Sequence, residues 1–161
     1  MTEKNPKPKN EYAPFPETAP QGQTPVAVDA ASTLEQWNQM VAATEKAAGD
    51  LVASPIVREG YLAHGHPADL GFIHLNSMTS SRIRKRFPLA TKDEPLFAML
   101  YAQGKLIVGQ GLVKKYTARK ENKTFDHTKW INKEFDKLFS NLDTYREQLR
   151  EIAYNASRTD K

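Results

Sequence analysis

Residues 105–113 read Lys105-Leu106-Ile107-Val108-Gly109-Gln110-Gly111-Leu112-Val113, and how they fold decides the rest of the chain. Two short apolar runs flank a glycine-bearing centre, which is the pattern of a β-hairpin closed by a tight turn. On that reading the second arm continues into Lys114, Lys115, Tyr116, Arg119, Lys120 and Lys123. A helix also accommodates this arm, because Lys115, Arg119 and Lys123 recur four residues apart. Pattern alone leaves both open.

The residues before this stretch look helical. Thr91 and Glu94 form a capping box, Pro95 stands early in the helix, and Leu96, Phe97, Leu100 and Tyr101 supply an apolar face. Gly104 is a natural stop, so a helix over 91–103 is expected. Upstream, Ser77, Thr79, Ser80 and Ser81 can cap a short helix that Pro88 ends. On it Arg82, Lys85 and Arg86 share one face, while Ile83 and Phe87 anchor another. The link from Pro88 to Ala90 is very short. Two helices so joined and followed by a hairpin resemble a winged-helix arrangement, with 91–103 as recognition helix and 105–117 as wing. That helix offers Gln103 at its end but no Arg or Asn on its face, which points to backbone contacts rather than base reading.

Downstream, Ile131, Phe135, Leu138, Leu142, Tyr145, Leu149, Ile152 and Ala156 are spaced alternately four and three apart. This heptad-type seam predicts a helix over about 128–157, roughly 45 Å long, with Ser140-Asn141 as the place where it could divide. Two uses of the seam stay open: packing lengthwise on the chain's own domain, or oligomerisation through a coiled coil. Trp130 and Phe139 lie off the seam and favour a broader contact within the chain.

At the other end, six of the ten prolines fall within residues 1–31, without apolar periodicity. A disordered Pro-rich arm is expected there, with Tyr12 and Phe15 as its only aromatics. Ser32 and Glu35 suggest a capping box opening a helix over 33–48 that Gly49 stops. Pro55 and Pro67 interrupt 50–76, where Ile56-Val57 and 71–75 look like short strands around a His64-Gly65-His66-Pro67 turn. The expected fold is thus mainly α with a small β-hairpin, α+β being the alternative. It divides into an arm over 1–31, a small helical domain over 32–127, the long helix over 128–157 and a tail over 158–161.

Charge locates the candidate function. The whole chain carries a net +4, but residues 82–133 alone carry thirteen basic side chains against four acids, a net +9. The flanking segments are each mildly acidic. Lys and Arg neutralise phosphates and release counterions, and interleaved aromatics can stack on exposed bases. The candidate nucleic-acid-binding residues are therefore Arg82, Arg84, Lys85, Arg86, Lys114, Lys115, Arg119, Lys120 and Lys123 for phosphates, with Tyr116 and Trp130 as stackers.

Other chemistries fit less well. The chain has no cysteine, which excludes disulfides, thiolate metal sites and a cysteine nucleophile. Gly109-Gln110-Gly111 lacks the third glycine of a dinucleotide loop and the Gly-Lys-Ser/Thr of a P-loop. His64, His66, Asp69 and His74 lie within eleven residues and are the weak candidates for a metal site. Their His-x-His start resembles the metallo-β-lactamase motif, but Ala68 and Leu70 stand where the acid and third histidine belong. No cofactor is expected. No apolar run reads as the roughly 20 residues of a membrane span, and no secretory leader is evident, so a cytoplasmic location is expected. The sequence thus predicts a non-enzymatic accessory protein that binds DNA or RNA through phosphate contacts, in an oligomer or a larger assembly. Two alternatives accompany it. One is an adaptor whose arm and C-terminal helix hold an acidic protein partner. The other is a small metal-dependent hydrolase at the histidine cluster.

Overall fold

The computed structural model describes residues 31–159. They form six helices: α1 (Leu34–Val52), α2 (Pro55–Ala63), α3 (Leu70–Arg86), α4 (Pro95–Lys120), α5 (His127–Ser140) and α6 (Leu142–Thr159). No strand occurs among the described residues. The arm expected over 1–31 lies outside them except for Ala31. That residue is buried, and its carbonyl accepts a 2.6 Å hydrogen bond from Gln148 Nε2 of α6.

The stretch 105–113 is neither hairpin nor wing. It is the middle of α4, a single helix roughly 39 Å long at 1.5 Å per residue. The other five helices all pack on α4. From Met99 to Leu112 every residue except Lys105 is buried, so there is no polar face to reveal a helical period. Gly104, Gly109 and Gly111 are contact points rather than turn residues. A Cβ on Gly104 would sit 2.8 Å from Thr79 Cγ2 of α3 and 2.9 Å from Phe135 Cζ of α5. On Gly111 it would sit 2.6 Å from Ile131 Cγ1. The glycines thus let α3 and α5 approach the α4 backbone closely. α4 is also apolar enough, by length and composition, to cross a membrane, and 72% of its most apolar window is buried inside the bundle. Gln103, Lys105 and Gln110 break that run in the sequence and hid it from the reading above.

The remaining departures have local causes. The capping box at the start of α1 sits one residue later than expected. Thr33 Oγ1 accepts from Gln36 N–H, and Gln36 Oε1 accepts from Ser32 N–H at 2.7 Å. Gly49 does not stop α1, which runs on to Val52. Pro55 opens α2 at its first position, where a missing N–H costs nothing, so Ile56-Val57 is helical rather than extended. Gly65 adopts φ +80° in the expected His64–Pro67 turn, but 71–75 then belongs to α3. The hydroxyl cluster at 77–81 lies inside α3 rather than capping it, and the helix ends just before Pro88 as expected. Thr91 caps a turn, accepting from Asp93 N–H, so α4 begins at Pro95 and the α3–α4 link is longer than three residues.

The C-terminal seam divides at Asn141 into α5 and α6. Ile131, Phe135, Leu138, Leu142, Tyr145 and Ile152 are all buried within this one chain, and Leu149 is half-buried. Tyr145 meets the buried Trp37 of α1 edge-to-face at 6.1 Å. Trp37 in turn donates from Nε1 to the Pro95 carbonyl at 3.0 Å, tying α1 to the start of α4. Most of the seam is therefore packed into the chain's own core, while at its C-terminal end Leu149, Ile152 and the exposed Ala156 line an apolar groove with Leu34, Pro95 and Leu96.

Candidate anion-binding surface

α3 and α5 lie side by side against α4. Arg82 Nε donates to Asn132 Oδ1 at 2.8 Å, and the Arg82 guanidinium stands 5.8 Å from the Phe135 ring. One turn on, Arg86 stands 5.7 Å from the Phe139 ring. The contacts advance together along both helices, so the two run in the same direction. Their shared side carries Arg82 and Arg86 over a floor of aromatic rings. Cations resting on ring faces keep their orientation without a carboxylate partner. Burial lowers the Arg82 pKa, but a guanidinium keeps its proton in proteins, so the charge stays.

This side continues to the C-terminal end of α4. There Lys115, Arg119, Asn122, Lys123, Thr124, Phe125 and His127 line a concavity of about 480 Å³. Lys115 and Arg119 project from one face of α4, four residues apart, and the α4–α5 turn brings Lys123 round to them. Asn122 makes that turn in the left-handed region, at φ 58°. His127 is the first residue of α5. Its pKa is lowered by burial first, then by Lys115, with Arg82 adding and Asp126 opposing. The Lys115 pKa is also lowered, by burial and then by Arg119. Both shifts come first from burial, and neighbouring positive charge adds to each. The carboxylates nearby are Glu121, 3.3 Å from Lys123 Nζ, and Asp126, whose Oδ1 caps α5 by accepting from Lys129 N–H. Asp136, one turn beyond Asn132, adds a third on that side of α5.

The cations expected from the sequence thus separate. Lys115, Arg119 and Lys123 come together with His127 at the C-terminal end of α4, with Arg82 in electrostatic reach of His127, whereas Arg86, whose neighbour Phe87 meets Phe97, lies toward the N-terminal end of α4. Arg84 turns away to the Tyr101 hydroxyl at 3.4 Å, where Lys92 also lies over the Tyr101 ring. Lys114 is directed to the opposite flank of α5, 5.3 Å from the Trp130 ring and near Glu134. Lys85 and Lys120 are exposed. Tyr116 is only 5% exposed, packed on Tyr61 at 5.4 Å and against Gly60. It therefore has no face for a base, which corrects its assignment as a stacker. Trp130 is half-buried, between Lys114 and Phe125. The sequence reading named Phe125 only as an aromatic among the basic clusters and missed His127 and Asn132. The position of His127 directly after the basic run was its only signal, and Asn132 had none.

The histidine cluster does not converge. His74 Nδ1 is paired with the Tyr61 hydroxyl at 2.8 Å, His64 Nδ1 with the Gly60 carbonyl at 2.9 Å, and His64 Nε2 with Arg119. Among the described residues no group of three or more His, Asp or Glu is placed to hold a metal ion. Comparison of the chain with protein-family models, with curated proteins and with solved structures finds no match.

Proposed function

We propose that the chain is a non-enzymatic nucleic-acid-binding protein that holds the phosphate backbone along the α3/α5 side and the end of α4. The observation that carries this reading is the gathering of Lys115, Arg119, Lys123 and His127 round one concavity, with Arg82 and then Arg86 extending the positive side along α3. Bundle packing alone does not require cations from separate elements to gather where burial, and then neighbouring positive charge, lower the pKa values of Lys115 and His127. A polyanion relieves that repulsion and releases its own counterions on binding. Asn132 and Thr124 add neutral groups of the kind that bond phosphate oxygens.

The test is fluorescence anisotropy with labelled single- and double-stranded DNA and with RNA, titrated with salt. Binding at about 50 mM salt should weaken steeply, with a log–log slope near −0.9 per duplex phosphate neutralised. The triple variant Arg86→Gln, Lys115→Gln, Arg119→Gln should make that slope shallower by roughly two to three, whereas Lys46→Gln with Arg150→Gln should not. Absence of binding to every nucleic acid at low salt overturns the proposal. So does equal or tighter binding to poly-glutamate, which would favour an acidic protein partner.

A further inference from the structure

The concavity at the end of α4 differs from the open side that leads into it. Seven residues line it, and none is a carboxylate: two lysines, an arginine, a histidine, Asn122, Thr124 and Phe125. Its volume of about 480 Å³ is that of a small-molecule cleft, larger than a single phosphate fills. The negative end of the α4 dipole lies here and opposes an anion, though its last carbonyls are capped. The last α4 carbonyls are already taken: Thr117 and Ala118 accept from Glu121 N–H, Arg119 from Asn122 N–H, and Ala118 from Lys123 N–H at 2.7 Å. The positive end of the α5 dipole opens beside it at His127. Lys115 and Arg119 repel one another across the cleft wall.

We propose that this cleft binds a nucleoside phosphomonoester, free or as the phosphorylated end of a strand, with the phosphate among Lys115, Arg119, Lys123 and His127 and the base against Phe125. An internal phosphodiester carries one negative charge, and two neighbouring nucleotides hold it in an extended path. A terminal phosphomonoester carries close to two charges and can enter the concavity end-on. Three permanent cations and a histidine around one small volume match the second better than the first. Lys123 must exchange its Glu121 partner for the ligand, and Thr124 supplies a hydroxyl for a further phosphate oxygen. Phe125 already has the Trp130 ring at 6.5 Å behind it, so a base laid on its open side would extend an aromatic stack. This inference deepens the proposed function and shares its basic surface.

The experiment uses the full chain and four probes: AMP, adenosine, and one oligonucleotide with and without a 5′-phosphate. Calorimetry should detect AMP binding, with adenosine at least about tenfold weaker, because charge-assisted contacts to the phosphate are lost. The phosphorylated oligonucleotide should bind about tenfold tighter than its unphosphorylated copy. In NMR titration with AMP the His127 imidazole pKa should rise, since a dianion favours its protonated form. Lys123→Gln with His127→Gln should abolish the preference for the phosphorylated end, while Lys46→Gln leaves it intact. Circular dichroism confirms that each variant folds. If both oligonucleotides bind equally and AMP does not bind, the cleft proposal is overturned and the backbone-binding function stands. If AMP binds and neither oligonucleotide does, the function is overturned, and the cleft holds a free mononucleotide only.

Discussion

Replacing Gly111 with alanine tests the fold at the point where sequence and structure diverge most. In an open helix, alanine is favoured over glycine by about 1 kcal/mol. At Gly111 the new Cβ meets Ile131 Cγ1 at 2.6 Å and Cδ1 at 2.7 Å, and Ile131 is fully buried. Overpacking of a tight core costs about 1–3 kcal/mol, and two contacts this short on an immobile side chain belong at the upper end. The net expectation for Gly111→Ala is therefore a loss of about 2 kcal/mol, or a fall in Tm of roughly 6–8 °C for a domain of this size. Gly49 is the internal control. It also lies inside a helix, but the nearest atom to its added Cβ is Phe72 Cε1 at 3.8 Å. Gly49→Ala should therefore stabilise the chain by about 0.5–1 kcal/mol. Thermal and urea unfolding followed by circular dichroism read both. Trimming the obstacle with Ile131→Val should cost less in the Gly111→Ala background than in the wild type, a coupling of about 1 kcal/mol. Should Gly111→Ala match or exceed wild-type stability, α5 does not press on α4 at this crossing and the packing described here is wrong.

Three further outcomes follow. Leu142→Asp buries an unpaired carboxylate, so it should unfold the chain by several kcal/mol rather than convert an oligomer into folded monomers, as sedimentation with circular dichroism will tell. The pKa values of His74 and His127 are both lowered in the folded chain, chiefly by burial. The unfolded chain therefore takes up protons first, and denaturation midpoints measured from pH 8 to 5 should hold above about 6.5 and decline below it; a flat profile refutes the burial of both rings. Trp37→Phe removes the donor to the Pro95 carbonyl and part of a fully buried ring, and should cost about 2–3 kcal/mol in urea denaturation; a loss under 0.5 kcal/mol would mean that α1 is not pinned to α4 there.

Much of the fold was legible where a helix has two unlike faces. α1 showed its stripe through Trp37, Met40, Thr44 and Ala47, and the α5–α6 seam showed its period and even its break at Ser140-Asn141. α4 was not legible, because a helix buried on every side loses the polar positions that mark its period. Short β-branched or apolar runs such as Ile56-Val57 and Leu106-Ile107-Val108 then read as strands. Glycine misled for a related reason. A residue without a Cβ serves a turn or a close approach between helices, and only the neighbour distinguishes the two. At the candidate site, charge counting pointed to 82–133, where the structure places Lys115, Arg119 and Lys123 round one concavity and Arg82 and Arg86 along α3. It could not separate the side bearing Arg86 from the one bearing Arg84, because a two-residue offset on a helix decides which way each points. Nor could it find His127 and Asn132, whose roles come from α5 lying beside α3.

The central position of α4 has a consequence for the birth of the chain. Synthesis runs from the N-terminus, so α4 emerges when α1 to α3 are present and α5 and α6 are not. Roughly thirty residues separate Lys120 from Ile152, the last buried side chain of α6, and at about 5–20 residues per second they take roughly 2–6 s to make. Throughout that interval the faces of Gly104 and Gly111 that await Phe135 and Ile131 stand open to water. A ribosome stalled within α5 would hold a span-length apolar helix covered on one side only. That intermediate, rather than the finished protein, is where chaperone capture or misdirected contact with a membrane has its opportunity.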